Sequence, residues 1–190
     1  MMKIILGSRS PRRRELLSQL GYDFKVIVSN VPEIDIETSP EETVTRNALR
    51  KAEQIAENNP DYLVICADTI VVANEIILGK PQNIEHAKAM IQMLQNNVHR
   101  VLTSVACVYK DIKKTLVEET KVFVIPMTNA EIDEYINTNE PYDKAGAYAI
   151  QGIFAKYVSR IEGDYYNVMG LPICRLHQLI EEIKKTSLVE

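Results

Sequence analysis

The chain has 190 residues, of which 46% are hydrophobic and 25% charged, with a formal net charge of −4. That length suits a single domain over residues 1–190 with a proper core, and the acidic balance argues against a general nucleic-acid binder, which shows a basic excess. No apolar run approaches the ~20 residues of a membrane span, and the N-terminus lacks a signal-peptide pattern, so the expected address is cytoplasmic. Cys66, Cys107 and Cys174 are widely spaced in apolar surroundings and read as reduced core residues.

Ile4-Ile5-Leu6 reads as a short strand feeding the loop Gly7-Ser8-Arg9-Ser10-Pro11-Arg12-Arg13-Arg14. Ser10 suits an N-cap and Pro11 the first helical position, ahead of a stripe of Leu16, Leu17 and Leu20 that Gly21 stops. Positive charge at a helix start opposes the macrodipole at a cost of roughly 0.3–1 kcal/mol. An anionic ligand at the free N–H groups and guanidinium forks would offset that cost; a solvated basic helix start is the plainer reading. Phe24 to Ser29 reads as a strand, followed by an acidic connection holding Glu33, Asp35 and Glu37. Ser39-Pro40-Glu41-Glu42 has the form of a capping box and opens a helix to about Glu57, with Val44, Ala48, Ala52, Ile55 and Ala56 as its stripe.

Tyr62 to Ala67 is a nearly continuous apolar run, the pattern of a strand covered on both faces. Asp68-Thr69 is expected to close it, before Ile70-Val71-Val72 pairs with Ile76-Ile77-Leu78. Gly79-Lys80-Pro81 ends this hairpin, and a helix from about Ile84 to Gln95 buries Ala87, Met90, Ile91 and Leu94. His99 to Lys110 and Thr115 to Ile125 suit antiparallel strands about a turn at residues 111–114. Thr128-Asn129-Ala130-Glu131 is a second capping box, opening a helix with Ile132, Tyr135 and Ile136 inward. Glu140 to Gly152 has loop chemistry, Phe154 to Ile161 suits a strand, and Gly163 to Asn167 a turn. Pro172 begins a last helix burying Leu176, Leu179, Ile180 and Ile183. Early helix–strand alternation with antiparallel pairs in the middle predicts a mixed-sheet α/β fold with two lobes.

Charged or polar side chains meet tight turns at the arginine loop, Asp68-Thr69, Gly79-Lys80-Pro81 and Glu140 to Gln151, and Lys51 and Glu33 can join them. Together they would supply cations for phosphates, and hard oxygen ligands of the kind that suit Mg²⁺ or Mn²⁺. The matching chemistry is phosphoryl or nucleotidyl transfer to water, with a carboxylate taking the proton. Each residue also has an ordinary explanation. Asp68 can be a turn cap, Lys80 a solvated turn lysine, Asp143-Lys144 a surface ion pair contributing roughly 0–1 kcal/mol, and Tyr165-Tyr166 a packing pair. His99 and His177 share no metal-ligand spacing.

Taken in order, the segments Ser8-Arg9-Ser10-Pro11-Arg12-Arg13, Ala67-Asp68-Thr69, Leu78-Gly79-Lys80-Pro81, Glu140 to Gly152 and Gly163 to Pro172 resemble the Maf family of nucleoside triphosphate pyrophosphatases (septum-formation Maf-like proteins). Arg12 directly after Pro11, Thr69 after Asp68 and Gln151 before Gly152 match its dTTP/UTP branch rather than the branch acting on 7-methyl-GTP. Ala149 and Ser104 depart from residues frequent in the family.

This resemblance implies an elongated α/β structure with a deep cleft between two lobes, similar to inosine-triphosphate pyrophosphatases (Maf/Ham1-like), and a homodimer. It implies hydrolysis of dTTP and UTP to the monophosphate and pyrophosphate. Asp68 takes the role of proton acceptor, Arg12, Thr69 and Gln151 those of substrate specificity, and Ser8, Arg13, Lys51 and Lys80 those of phosphate binding. Asp143 and Lys144 support the site, while Glu33 and Asp68 face a divalent metal cation, Mg²⁺ or Mn²⁺. A second reading is a nucleotide-binding regulator of the division machinery that does not turn over. A third is a pyrophosphatase for a modified pyrimidine triphosphate.

Overall fold

A computed structural model describes residues 2–34 and 39–188, so Asp35 and Glu37 of the acidic connection lie outside the described residues. The chain divides into two compact units: Met1–Asp68, Thr103–Glu118 and Gly170–Glu190 in the first, Thr69–Leu102 and Glu119–Met169 in the second. Its elements in order are β1 (Lys3–Leu6), α1 (Pro11–Gln19), β2 (Phe24–Val26), α2 (Pro40–Glu57), β3 (Tyr62–Ala73), β4 (Ile76–Leu78), α3 (Ile84–Leu94), β5 (Val98–Tyr109), β6 (Ile112–Val124), α4 (Asn129–Ile136), β7 (Val158–Glu162), α5 (Tyr165–Met169) and α6 (Ile173–Ser187). The seven strands among the described residues form one sheet in the order β2-β1-β3-β5-β6-β7, with β4 paired to β3 off that path. Parallel ladders flank β1, while β3–β4 and β6–β7 are antiparallel, which makes the sheet mixed, as the alternation of elements predicts.

In the first unit, the apolar stripe of α2 lies on β1, β3 and β5. Ala48, Ala52 and Ile55 pack with Ile5, Val64, Cys66, Ala106 and Val108, all buried. Burying each large aliphatic side chain here stabilises the fold by about 1.5–3 kcal/mol. The predicted N-caps form at the helix starts, Ser39 as a one-way cap rather than the expected box and Thr128 within a full box. The Ser10 and Ser39 side chains accept the N–H groups of Arg13 and Glu42, and Thr128 with Glu131 forms a complete reciprocal box. In the second unit, Ala87, Met90, Ile91 and Leu94 of α3 are buried, as are Ile132, Tyr135 and Ile136 of α4. Phe154 is ringed by Tyr135, Tyr148 and Tyr157 at centroid distances of 5.1, 4.8 and 5.6 Å.

Several boundaries differ from the sequence expectation, each for a local reason. β2 ends at Val26 rather than Ser29, because Ser29 Oγ donates to Gln54 Oε1 and accepts from Val31 N, drawing the chain off the ladder. β3 does not close at Asp68-Thr69; it runs unbroken to Ala73, so Asp68 is a strand residue and not a turn cap. The hairpin turn after β5 falls on Lys110-Asp111, with Lys110 at φ 50°, and not on residues 111–114. Lys113 and Lys114 are then strand residues paired with Glu53 and Glu182.

Residues 153–157 form a 3₁₀ turn rather than the start of a strand, since the Glu140 carboxylate takes the N–H groups of Ile153 and Phe154. Residues 165–169 are a short helix instead of a turn, opened by Asp164 Oδ1 accepting from Tyr166 N. Pro172 is the residue before α6, not its first, and Cys174 is exposed while Cys66 and Cys107 are buried. No helix among the described residues is long and apolar enough to cross a membrane.

Candidate active site

In the first unit, the strand-to-helix loop after β1 is shaped by a close approach. Gly7 N donates to Ile65 O at 2.8 Å, and a Cβ on Gly7 would stand 2.2 Å from Cys66 Sγ. Only glycine lets the chain cross β3 there and turn into α1. Ser8, 5% exposed, follows immediately; its Oγ accepts from Ser10 N at 3.1 Å and from Arg13 Nη1 at 3.5 Å. Arg13 turns inward, with Nε donating to Gly170 O at 2.8 Å and Nη1 to Ala67 O at 2.9 Å. Burial lowers its pKa, with Asp68 opposing that shift. The guanidinium thus clamps the first loop to β3 and to the turn before α6. Arg12 remains half-buried, while Arg9 and Arg14 are exposed.

Asp68 is 7% exposed and sits beside the face that α2 presents to β3. Asn47 and Lys51, one helical turn apart, reach its two oxygens: Lys51 Nζ donates to Oδ1 at 2.9 Å and Asn47 Nδ2 to Oδ2 at 3.4 Å. The same pair secures the segment entering α2. Lys51 Nζ donates to Glu33 Oε1 at 2.7 Å, and Asn47 Oδ1 accepts from Ile34 N at 2.8 Å. Burial raises the Asp68 pKa, and the Lys51 cation only partly opposes it. Burial lowers that of Lys51, but Asp68 and Glu33 outweigh it and the net direction is upward. A carboxyl moved up from its ordinary range and held by fixed donors is suited to general-base work near neutrality.

One ammonium between two carboxylates marks a place where positive charge is stabilised. Among the described residues, no group of three or more His, Cys, Asp or Glu side chains could hold a metal ion. Glu33 and Asp68 therefore offer a Mg²⁺-type ion two carboxylates at most, and Lys51 Nζ already bridges Glu33 Oε1 and Asp68 Oδ1 at 2.7 and 2.9 Å, so the remaining ligands would have to come from water or substrate oxygens.

The second unit holds the remaining predicted residues. Thr69 is half-buried in β3, and Lys80 is exposed at the turn after β4. Gly79 O accepts from Gly146 N at 3.0 Å, which ties that turn to the 3₁₀ turn at Ala145–Ala147. Asp143 is exposed and pairs with Lys144, whose Nζ also donates to Glu140 O at 2.7 Å. Gln151 is exposed, in a tight turn closed by Gly152 N donating to Ala149 O at 3.2 Å. Of the other candidates, His99 is buried with Nε2 2.7 Å from Tyr148 Oη, and His177 lies on an exposed helix face against Tyr22.

Lys51 bonds both Asp68 and Glu33, and Arg13 bonds Ser8 and the neighbouring carbonyl of Ala67, while Asp143 with Lys144 sits in the 140–152 loop, to which Gly79, next to Lys80, is tied. Sequence reasoning missed Asn47, and it flagged the run that Glu140 opens without giving Glu140 a role. A polar residue at a helix position otherwise facing the core was the available signal for Asn47. For Glu140 the only signal was its place at the start of that run.

A family model described as Maf-like protein matches residues 3–183. A dTTP/UTP pyrophosphatase of Bacillus thuringiensis subsp. konkukian is 50% identical over 186 residues, covering 97% of this chain and 96% of that protein. One of Lachnoclostridium phytofermentans is 48% identical over 191 residues, covering 97% and 95%. Among solved structures, a HAM1 protein from Coxiella burnetii aligns over 96% of this chain and 100% of its own, with a TM-score of 0.55 and 15% identity, a likeness of fold alone. On its sequence over nearly its whole length, this chain belongs to the family of Maf-like proteins.

Proposed function

We propose that this protein hydrolyses dTTP and UTP to the nucleoside monophosphate and pyrophosphate. The observation that carries the reading is the buried Asp68 carboxylate, raised in pKa and gripped by Lys51 and Asn47, in a chain about half identical to proteins named dTTP/UTP pyrophosphatase. In this scheme a water oxygen attacks the α-phosphorus, and Asp68 takes its proton. The bond from the α-phosphorus to the α–β bridging oxygen breaks, and pyrophosphate leaves with the electron pair. Ser8, Lys51 and Lys80 contribute donors to the phosphates. Arg13 holds the loop that carries Ser8 in place through its bonds to Gly170 O and Ala67 O. Arg12, Thr69 and Gln151 recognise the pyrimidine, where polar groups left unpaired by a wrong base discriminate strongly. Glu33 and Asp68 would hold a Mg²⁺ or Mn²⁺ ion, which when bound neutralises charge on the phosphates.

The test is a panel of dTTP, UTP, CTP, GTP and 7-methyl-GTP with Mg²⁺ or Mn²⁺ in oxygen-18-labelled water. The expected products from dTTP and UTP are pyrophosphate and a monophosphate bearing the label. Release of orthophosphate, label in pyrophosphate, or preference for a purine would refute the proposal.

A further inference from the structure

The turn that carries Gln151 is closed by Gly152 N bonding Ala149 O, and a single carboxylate holds the backbone that follows it. Glu140 Oε2 accepts from Ile153 N at 2.6 Å, and Glu140 Oε1 accepts from Phe154 N at 3.1 Å and from Tyr135 Oη at 3.0 Å. Tyr135 Oη also lies 3.2 Å from Ala147 O, so the same cluster grips the chain on both sides of residues 149–152. Glu140 itself is fixed from behind, where Lys144 Nζ bonds its carbonyl and Tyr135 is fully buried against Phe154. Gly152 completes the fit: a Cβ there would stand 2.0 Å from Glu140 Oε2, closer than any contact tolerates. Glycine at 152 and glutamate at 140 are therefore one device. The carboxylate fills the space that a side chain at 152 would take, and it supplies the acceptors that the first N–H groups of the following 3₁₀ turn need.

We infer that Glu140 is a positioning residue for substrate selection, setting through Ile153 and Phe154 the place of Gln151. The inference deepens the function proposed above and rests on its assignment of Gln151 to base recognition. Glu140 touches no reacting atom in this scheme. A loose Gln151 still allows hydrolysis but no longer penalises the wrong base, because an adjustable donor and acceptor can pair with either edge. Loss of Glu140 therefore erodes discrimination and raises KM for the preferred substrate more than it lowers kcat.

Glu140→Ala, Glu140→Gln and Gly152→Ala are compared with wild type and with Gln151→Ala. Two readouts are taken: amide exchange at Ile153 and Phe154, and the ratio of kcat/KM for UTP to that for GTP. Glu140→Gln keeps one acceptor oxygen but turns an amide donor toward a backbone N–H, so it should fold and lose part of the protection. Gly152→Ala should push the carboxylate aside and behave like Glu140→Ala. Expected is faster exchange at both amides and a UTP/GTP ratio reduced by about 10-fold or more in Glu140→Ala, approaching the ratio of Gln151→Ala. Unchanged exchange in Glu140→Gln overturns the clamp whatever the substrate. Faster exchange with the wild-type ratio intact overturns the link to selection. A wild type that shows no pyrimidine preference instead sinks the function proposed above, and with it the selection role, while the exchange result stands separately.

Discussion

Replacing Asp68 by Asn separates chemistry from folding, because the two effects differ greatly in size. The side chain keeps its shape, and the amide oxygen can still accept from Lys51 Nζ, 2.9 Å from Oδ1 in the wild type. The new amide nitrogen faces Asn47 Nδ2, and Asn47 is not free to flip, since its Oδ1 is engaged by Ile34 N at 2.8 Å. One donor is left facing a donor, a cost of about 1–3 kcal/mol. Two things offset it. Lys51 retains Glu33, and an amide avoids the penalty of burying a carboxylate at 7% exposure. That penalty has a definite sign: Asp68 holds its proton more tightly folded than unfolded. Its ionisation therefore subtracts stability as pH rises from the ordinary value of 3.8 through the raised folded value, and the loss is complete only above that folded value.

The net change in stability should be about 1–2 kcal/mol, or roughly 2–8 °C in Tm for a chain this size. Loss of a general base should cost about 10²–10⁴ in kcat. Thermal melting with steady-state pyrophosphate release from UTP gives both numbers. A folded Asp68→Asn protein retaining kcat within about tenfold of wild type would refute the assignment of Asp68 as the base.

Gly7→Ala places a Cβ 2.2 Å from Cys66 Sγ and 2.7 Å from Ile55 Cδ1, so it should destabilise the protein by about 1–3 kcal/mol in urea unfolding. Adding Cys66→Ala should recover part of that loss, and strict additivity would show that the two sites do not clash. His99 is held neutral by burial, its pKa lowered from 6.5 to about 4. The folded state resists its protonation, so stability is present above pH 6.5 and falls as pH drops toward 4. The His99 share of that fall is about 3 kcal/mol. His99→Gln should flatten the dependence of Tm on pH over this window, and an identical slope in both proteins would contradict the burial argument.

Sequence alone determined the elements whose causes are local. Ser10-Pro11, Ser39-Pro40 and Thr128 with Glu131 start helices through bonds spanning three residues, and the stripes of α2, α3, α4 and α6 face the core as periodicity predicts. The residue types offered a phosphate-directed chemistry only as one reading beside a solvated helix start and ordinary turn residues; it was the motifs taken together, as a family resemblance, that singled it out. What tertiary structure decided lies where partners are distant in sequence. β3 passes straight through Asp68-Thr69 because strand pairing on its flanks outweighs the turn preference of Asp. Arg13 binds carbonyls 54 and 157 residues away, and Asp68 meets a lysine 17 residues away and an asparagine 21 away. Glu140 turns a would-be strand into a 3₁₀ turn by taking two backbone donors 13 and 14 residues on. Local preferences of a fraction of a kcal/mol to about 1 kcal/mol per residue yield to such bonds. These partners lie beyond the three or four residues over which capping and periodicity act.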